Sequence, residues 1–339
     1  MKRVYLDWNA TAPLRPEARA AMLAAMDCVG NPSSVHAEGR AAKAIVERAR
    51  GQVAEAVGAS GADIVFTSSA TEAAALALAG QGFASTELEH GCVAVWTSRT
   101  PADPAKTAQQ LANNETGEIY EVPEGTGFCD AVQAFGKIPY SFAWSGVERA
   151  MISAHKFGGP KGAGALILKQ GVDVVTALRG GGQEMGRRSG TENVIGIAGM
   201  GAAAQAAAKD LENGLWQIVE QNRNVFEERL LNEVPELIIF GKEVPRLPNT
   251  SYFAVKGWKA ETQVMQMDLA GFAVSAGSAC SSGKVKASRV LKAMGHDDIT
   301  AGSAIRVSIG PGTTAAELES FADAWRAEYK RFKARQKGK

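Results

Sequence analysis

The run Ser153-Ala154-His155-Lys156-Phe157-Gly158-Gly159-Pro160-Lys161-Gly162 decides how this chain is read. An apolar stretch, Ala150-Met151-Ile152, leads into it, and another, Ala163-Gly164-Ala165-Leu166-Ile167-Leu168, leads out. The run therefore marks the end of a strand, with a histidine–lysine pair at its tip and glycines that turn the chain. A lysine buried at a strand end carries a desolvation cost unless something neutralises it. Covalent capture by an aldehyde is one chemical solution. The plainer reading is a surface lysine in a glycine-rich turn, and the rest of the chain decides between the two.

At 339 residues the chain is too long for one small core and reads as two domains. A hydrophobic content of 45% and a charged content of 22% are those of an ordinary globular enzyme. A formal net charge of +1 gives no electrostatic reason to expect nucleic acid or a membrane surface as partner. Met1-Lys2-Arg3-Val4-Tyr5-Leu6-Asp7 has basic residues without an apolar run behind them, so it does not read as a signal peptide, and a cytoplasmic address is expected. The longest weakly polar stretch, Ile195 to Ala208, is too short for a membrane span and reads as a close-packed helix. Cys28, Cys92, Cys129 and Cys280 form no C-x-x-C pair, so no disulfide framework or zinc site is indicated, and no metal is expected.

Outward from the central run, strand-like segments alternate with helical ones, the pattern of an α/β protein with a mainly parallel sheet. Helices are expected over Pro16–Cys28 and Ala37–Val57, the second with Ala44, Ile45, Ala49, Val53 and Val57 on one stripe. Asp63–Thr67 is a short strand that turns through Ser68-Ser69-Ala70-Thr71-Glu72 into a helix over Ala73–Ala79. A long helical region from Ile195 to about Leu231 closes the first domain, placing a boundary near residue 233. Strands at Leu237–Phe240, Thr250–Val255, Ala273–Ala276 and Ile305–Ile309 and helices at Glu261–Leu269, Ala287–Met294 and Ala315–Phe332 follow.

Several segments carry chemistry. A strand, then Ser-Ser-Ala-Thr, then a helix can cradle a phosphate, because the first helical amides lack internal partners and face an anion. An ordinary serine cap with Glu72 in the first turn explains the same residues. Asp130, with Gln133 beside it, stands where a carboxylate can hold a pyridine nitrogen protonated and make the ring of pyridoxal phosphate (PLP) an electron sink; alone, it is a turn residue. Cys280 lies in Ser275-Ala276-Gly277-Ser278-Ala279-Cys280-Ser281-Ser282-Gly283, a small-residue loop suited to a reactive thiolate. The other three cysteines sit beside apolar residues and read as structural. His90 can stack on a flat ring or move protons near neutral pH, and His36 reads as a loop-ordering residue. Gly180-Gly181-Gly182-Gln183 and Arg188-Ser189-Gly190-Thr191-Glu192-Asn193 form a loop with exposed amides and an anion-friendly arginine. Arg306, flanked by apolar residues, calls for a carboxylate, from a substrate or from the chain itself.

Nine segments in register resemble the cysteine desulfurases of the NifS/IscS type, PLP enzymes of the class V aminotransferase group. They are Tyr5–Pro13 (YLDWNATAP), Gly30–His36 (GNPSSVH), Phe66–Glu72 (FTSSATE), Glu89-His90, Asn113–Gly117 (NNETG), Asp130–Gln133 (DAVQ), Ser153–Lys156 (SAHK), Arg188–Asn193 (RSGTEN) and Ser275–Cys280 (SAGSAC). The resemblance implies the fold type I of PLP-dependent transferases, aspartate aminotransferase-like. A large PLP-binding domain (12–232) with a mainly parallel sheet would be joined to a smaller α+β domain (1–11 and 233–339) carrying the cysteine loop.

It implies that Lys156 holds the cofactor and shuttles the substrate Cα proton, that Asp130 pairs with the pyridine nitrogen and Gln133 with the ring hydroxyl, and that His90 stacks on the ring. Ala70, Thr71, Ser153 and His155 would line the phosphate site, with Thr191 reaching in from the partner of a homodimer. Asn31, Asn114 and Arg306 would serve the substrate, Asn114 also lying beside the cofactor. Cys280 would take sulfur from L-cysteine as a persulfide and release L-alanine. An acceptor protein, such as a scaffold for iron–sulfur cluster or thio-cofactor assembly, would receive the sulfur.

This chain departs from the pattern in places. His90 to Asn114 spans 24 positions and Asn114 to Asp130 spans 16, shorter than the family's intervals. A βαβ unit needs about 30 residues, so a helix is expected to be missing from the large domain. Ser69 replaces a glycine, which would be costly if that position required positive φ. Ala73 and Ala75 replace polar residues. Two other readings fit the same residues: a PLP-binding paralogue that acts as partner or scaffold, and a class V aminotransferase or selenocysteine lyase in which Cys280 is idle.

Overall fold

The computed structural model describes residues 3–98, 103–277 and 287–337, apart from the side chain of residue 337. Cys280, Ser278 and Arg99 lie outside the described residues. The chain divides into two compact units, a larger one of Thr11–Ala112 and Tyr120–Asn213 and a smaller one of Met1–Ala10, Asn113–Ile119 and Gly214–Lys339. The expected boundary near residue 233 and this break differ by the length of one helix. Gly214, at φ 72°, interrupts the long helical region, and the helix that follows it packs with the smaller unit. The heptapeptide Asn113–Ile119 also belongs to that unit, an excursion that composition does not announce.

The smaller unit starts with strand β1 (Val4–Tyr5), parallel to β9 (Phe272–Ala273). In the larger unit, helix α1 (Pro16–Met26) opens on a proline, which has no N–H to leave unsatisfied there. Helix α2 (Ala37–Ala56) is capped by His36, whose Nδ1 accepts from Gly39 N at 3.3 Å. Its buried stripe is Ala42, Val46, Ala49 and Val53, continuing to Val57. The expected Ala44 is exposed and Ile45 half-buried, because the helix presents the 42–46–49 row to the core.

The sheet of this unit runs β2 (Asp63–Thr67), β6 (Gly164–Leu168), β5 (Arg149–Ser153), β4 (Phe128–Asp130), β3 (Ala108–Gln110). β3, β4 and β5 are parallel, and β6 is antiparallel to both neighbours. Beyond β3 the ladder shrinks to single bridges, Ala84 with Thr107 and Ala84 with Ser98. Helix α3 (Ala70–Leu78) follows β2, and α4 (Gly91–Ala94) is a single turn. Between His90 and Asn114 the only helical structure among the described residues is this single turn and a 3-10 turn at Pro104–Lys106. A second one-turn helix, α5 (Phe142–Ser145), precedes β5.

Two apolar clusters cover the sheet. One joins Val46, Val53, Phe66, Phe135, Ile152 and Ile167 to the helices, and the other joins Leu76, Leu78, Phe83, Phe128, Met151 and Leu166 to α3. Helix α6 (Val194–Glu212) approaches α1 and α2 through glycine. A Cβ on Gly199 would lie 2.6 Å from Met22 Cγ, and one on Gly201 would lie 2.7 Å from Ala49 Cα. That explains the run of small residues without a membrane, and among the described residues no helix is long and apolar enough to cross one.

The smaller unit holds α7 (Leu215–Glu233) and a second sheet in the order β10 (Ser275–Ala276), β11 (Ala304–Ser308), β8 (Thr250–Ala254), β7 (Ile238–Ile239), all antiparallel. Helices α8 (Ala260–Leu269), α9 (Arg289–Ala293), α10 (Asp298–Ala301) and α11 (Ala315–Lys337) complete it. The single strand expected over Ala273–Ala276 is split at Val274, so that β9 serves β1 and β10 serves β11. Its core is aromatic: Trp325 meets Phe253 edge-on at 5.3 Å and stacks on Tyr329 at 6.0 Å.

Candidate active site

The site in the larger unit is built at the ends of two adjacent parallel strands. Asp130 ends β4 and lies opposite Met151 of β5. β5 then runs out through Ser153 into a tight turn, Ala154–Lys156, which carries His155 and Lys156 off the sheet. Parallel strands ending side by side deliver their last side chains to one crevice, the usual place for ligands in α/β sheets. Lys156 is half-buried rather than enclosed, which lowers the desolvation cost the sequence implied. Ser153 is 2% exposed.

Asp130 is 7% exposed, and its Oδ1 accepts from Val132 N at 2.9 Å. Among the described residues no salt bridge reaches it. Burial pushes its carboxyl up to about 6, opposed by the Val132 amide and the charge on Lys156. With no salt bridge among the described residues, this carboxylate is suited to a protonated pyridine nitrogen, which has the right charge and hydrogen to supply one. Gln133, 5% exposed, accepts from Lys137 Nζ at 2.7 Å through its Oε1, and Lys137 itself is 3% exposed. His155 is held down to about 4 by burial and by Lys156 and Lys161, so its ring is neutral at physiological pH.

The cradle after β2 combines both sequence readings. Ser69 is the N-cap of α3, its Oγ accepting from Glu72 N at 3.3 Å. Its φ of −173° is extended backbone that any residue adopts, so the expected strain of a non-glycine residue is not there. Glu72 reaches back to Ser68 N at 2.7 Å and accepts from Arg188 Nε at 2.9 Å. Burial of Glu72 works against ionisation, but Arg188 and Ser68 outweigh it and hold the carboxyl low. Ala70 is 8% exposed at the first helical position, with Thr71 exposed beside it. Thr191 lines a cavity of about 160 Å³ with Thr67, Ser68, Arg188 and Asn193 of the same chain. Asn31 is exposed and closes a local turn, its Oδ1 accepting from Ser33 N at 2.9 Å.

His90 caps the one-turn helix α4. Its Nδ1 accepts from Cys92 N at 3.2 Å and lies 3.0 Å from Cys92 Sγ. In the neutral ring an accepting Nδ1 leaves the proton on Nε2. The stretch before it is pinned to β3, since Gln110 N donates to Glu89 Oε1 at 2.8 Å and Gln110 Nε2 to the Leu88 carbonyl at 2.8 Å. Cys92 was not singled out by its apolar neighbours, yet it lies against His90 and within the field of Asp130. Burial and the charge of Asp130 push its thiol up to about 12, and Thr71 hydrogen-bonds to it. Its spacing two residues after His90 is the signal that could have found it. Cys28 is half-buried and Cys129 is buried.

In the smaller unit, Arg306 is 5% exposed on β11. Its Nη2 pairs with Asp7 Oδ1 at 2.8 Å, and its Nη1 donates to the Asn114 carbonyl at 2.7 Å. Its Nε is buried with no hydrogen-bond partner. The internal salt bridge is therefore present, and one N–H, at Nε, is left unsatisfied beside it. Asn114 meets Arg306 through its backbone, an arrangement residue type could not foretell. Asp7 also accepts from Ser275 Oγ at 2.6 Å. Next to Asn114, Glu115 is 4% exposed and its carboxyl is raised by burial, against Ser288, Arg306, Tyr252 and Arg289.

The family profile of aminotransferase class-V matches residues 4–127 and 110–321 of this chain. A cysteine desulfurase from Cereibacter sphaeroides is 38% identical, with 94% of each chain covered. Cysteine desulfurase IscS from Dictyoglomus turgidum is 34% identical over 95% of this chain and 94% of its own. Among solved structures, a NifS-like protein from Rickettsia africae superposes with a TM-score of 0.86 at 29% identity, covering 97% of this chain and 99% of its own. The strand-end lysine, the buried aspartate beside it and these likenesses lead to one placement: the chain belongs to the class V aminotransferase family and, within it, to the cysteine desulfurases of the NifS/IscS type.

Proposed function

We propose that this chain uses PLP to convert L-cysteine to L-alanine, leaving the sulfur as a persulfide on Cys280 for delivery to an acceptor protein in iron–sulfur cluster or thio-cofactor assembly. The observation that carries the reading is Asp130, a buried carboxyl raised to about 6 at the strand end next to Lys156. Lys156 and Asp130 would hold the cofactor from two sides, with Ala70, Thr71, Ser153 and neutral His155 at its phosphate, Gln133 at its ring oxygen and His90 over its face. A partner subunit's copy of Thr191 would complete the phosphate site in a homodimer. PLP, when bound, supplies an electron sink that stabilises negative charge at the substrate Cα.

The remaining work falls to this chain's own residues. Lys156 Nζ takes the Cα proton and returns one, acting as base and then acid. His90, with its proton on Nε2, donates from the ring edge away from Cys92, which lies against Nδ1. The N–H at Nε of Arg306 donates to a substrate carboxylate oxygen, which satisfies an atom otherwise left without a partner. Asn114 and Asn31 assist on the substrate side. The Cys280 thiolate forms a bond to the substrate sulfur as the carbon–sulfur bond breaks. The net change is cysteine plus one thiol to alanine plus one persulfide.

Purified protein loaded with PLP should absorb in the visible, and with L-cysteine and a thiol reductant it should release sulfide and alanine in equal amounts. Lys156→Ala should abolish the colour, and Cys280→Ala should abolish sulfide release while keeping the colour. Colour without sulfide release from the wild-type chain would refute the desulfurase reading. Colour that survives Lys156→Ala would refute the cofactor assignment.

A further inference from the structure

We propose that Glu115 is a positioning residue that ties together the two ends of the segment bearing the reactive cysteine. The inference rests on the desulfurase reading above and deepens it. In sequence, Gly277 stands just before residues 278–286 and Ser288 just after Ala287. Both converge on one oxygen. Ser288 Oγ donates a hydrogen bond to Glu115 Oε2, and Tyr252 Oη donates to the same atom at 3.2 Å. A Cβ on Gly277 would lie 2.5 Å from Glu115 Oε2 and 1.9 Å from Tyr252 Oη, so the Gly277 backbone is packed directly on that pair.

Each anchor is itself held. Gly277 follows β10, where Ser275 lies opposite Arg306 in the sheet register. Ser288 caps α9 by accepting from Leu291 N at 3.0 Å. Glu115 is placed independently of both, because Asn113 Oδ1 accepts from its amide at 2.8 Å and from Thr116 N at 3.1 Å. The preceding residue gives its carbonyl to Arg306. Asn114 and Glu115 therefore tie the arginine proposed to hold substrate to the stems from which Cys280 departs. A buried carboxylate with two hydroxyl donors is costly to leave half-satisfied, so the arrangement is strongly specified.

The test uses full-length protein loaded with PLP, in wild type, Glu115→Gln, Ser288→Ala, Ser288→Thr and Gly277→Ala. Three readouts are taken: the visible spectral change on adding L-cysteine, the rate of Cys280 alkylation by iodoacetamide, and single-turnover persulfide on Cys280 by mass spectrometry. Glu115→Gln, Ser288→Ala and Gly277→Ala should keep the cysteine-dependent spectral midpoint within about twofold. Losing one hydrogen bond to a charged group should slow persulfide formation on the order of tenfold. Alkylation of Cys280 should become faster while persulfide formation slows, because a small reagent needs no set geometry and the substrate sulfur does. Ser288→Thr, which keeps the hydroxyl, should restore both rates.

Wild-type alkylation and persulfide rates in Glu115→Gln and Ser288→Ala would overturn the proposal, as would a parallel fall of both rates, the mark of general damage. If Glu115→Gln fails to fold, Ser288→Ala against Ser288→Thr decides. If the wild-type chain itself forms no persulfide, the desulfurase reading falls, and the alkylation rates still decide the positioning one.

Discussion

Removing the charge from Asp130 should stabilise the cofactor-free protein. Its carboxyl is raised from an ordinary 3.8 to about 6 by burial, so the folded state holds a proton over a pH range in which the unfolded chain has released it. At about 1.4 kcal/mol per unit, ionising it in the fold costs about 3 kcal/mol. The sign follows from linkage: where the folded state binds more protons, stability falls as pH rises. This cost is absent below about pH 4, grows to about pH 6 and is constant above. Asn resembles the protonated acid, and its Oδ1 can still accept from Val132 N. Asp130→Asn should therefore gain up to about 3 kcal/mol over wild type at pH 7.5 and about 1 kcal/mol at pH 4.5.

The assay is urea unfolding of cofactor-free protein at both pH values. His155 imposes the opposite slope, since its depressed pKa of about 4 makes stability rise with pH over the same range. Both proteins share that slope, so only their difference is read. An Asn variant no more stable at pH 7.5, or a gap identical at both pH values, would refute the reasoning. PLP should reverse the order by adding more stability to wild type than to the variant, because binding stabilises in proportion to affinity. A residue that weakens the empty fold and strengthens the loaded one is the expected mark of a binding group.

Ser69→Ala should cost about 1 kcal/mol through loss of the α3 cap, and Ser69→Gly only a few tenths, measured by urea unfolding; a larger loss for Gly would show that Ser69 does more than cap. Arg50→Met should cost roughly 3–5 kcal/mol, because it strips a two-pronged partner from a buried carboxylate. Arg50 Nη1 and Nη2 lie 2.8 and 3.0 Å from Glu184, whose side chain is 2% exposed. A change under about 1 kcal/mol would contradict that pairing. Cys92, its thiol pushed up to about 12, should be alkylated more slowly than Cys28 near pH 8, and PLP should slow it severalfold further. Equal rates with and without PLP, read by mass spectrometry, would remove Cys92 from the cofactor site.

Much of the site was legible because its residues are local. Lys156 and Asp130 are placed by strand ends, and strand ends are marked by apolar runs and the turn residues after them. The cap at Ser69 was legible for the same reason, its partner Glu72 being three residues away. What was not legible depends on distant partners. Glu115 meets Ser288 and Tyr252 across more than a hundred residues, and Asp7 meets Arg306 across nearly the whole chain. No periodicity encodes such pairs. The domain boundary was misplaced because a helix looks alike on either side of it, and only packing assigns α7. The α2 stripe slipped because alanines at positions 42 and 44 are indistinguishable until a neighbour chooses a face.

The shortened stretch between His90 and Asn114 bears on activity through where in the sheet the length was lost. β4 and β5, which carry Asp130 and lead to Lys156, are interior strands with a partner on each side. Beyond β3, ladder pairing among the described residues is down to the bridges of Ala84. An interior strand takes its register from its neighbours, so the ends of β4 and β5 are set by β3 and β6 rather than by the outer edge. A three-residue β3 also offers little free edge for another chain to pair with. The element that depends on the trimmed stretch is the one-turn helix under His90, too short to hold itself. Glu89 and Leu88 tether it to Gln110, and Cys92 tethers the ring, so these hydrogen bonds, rather than a long helix, support His90.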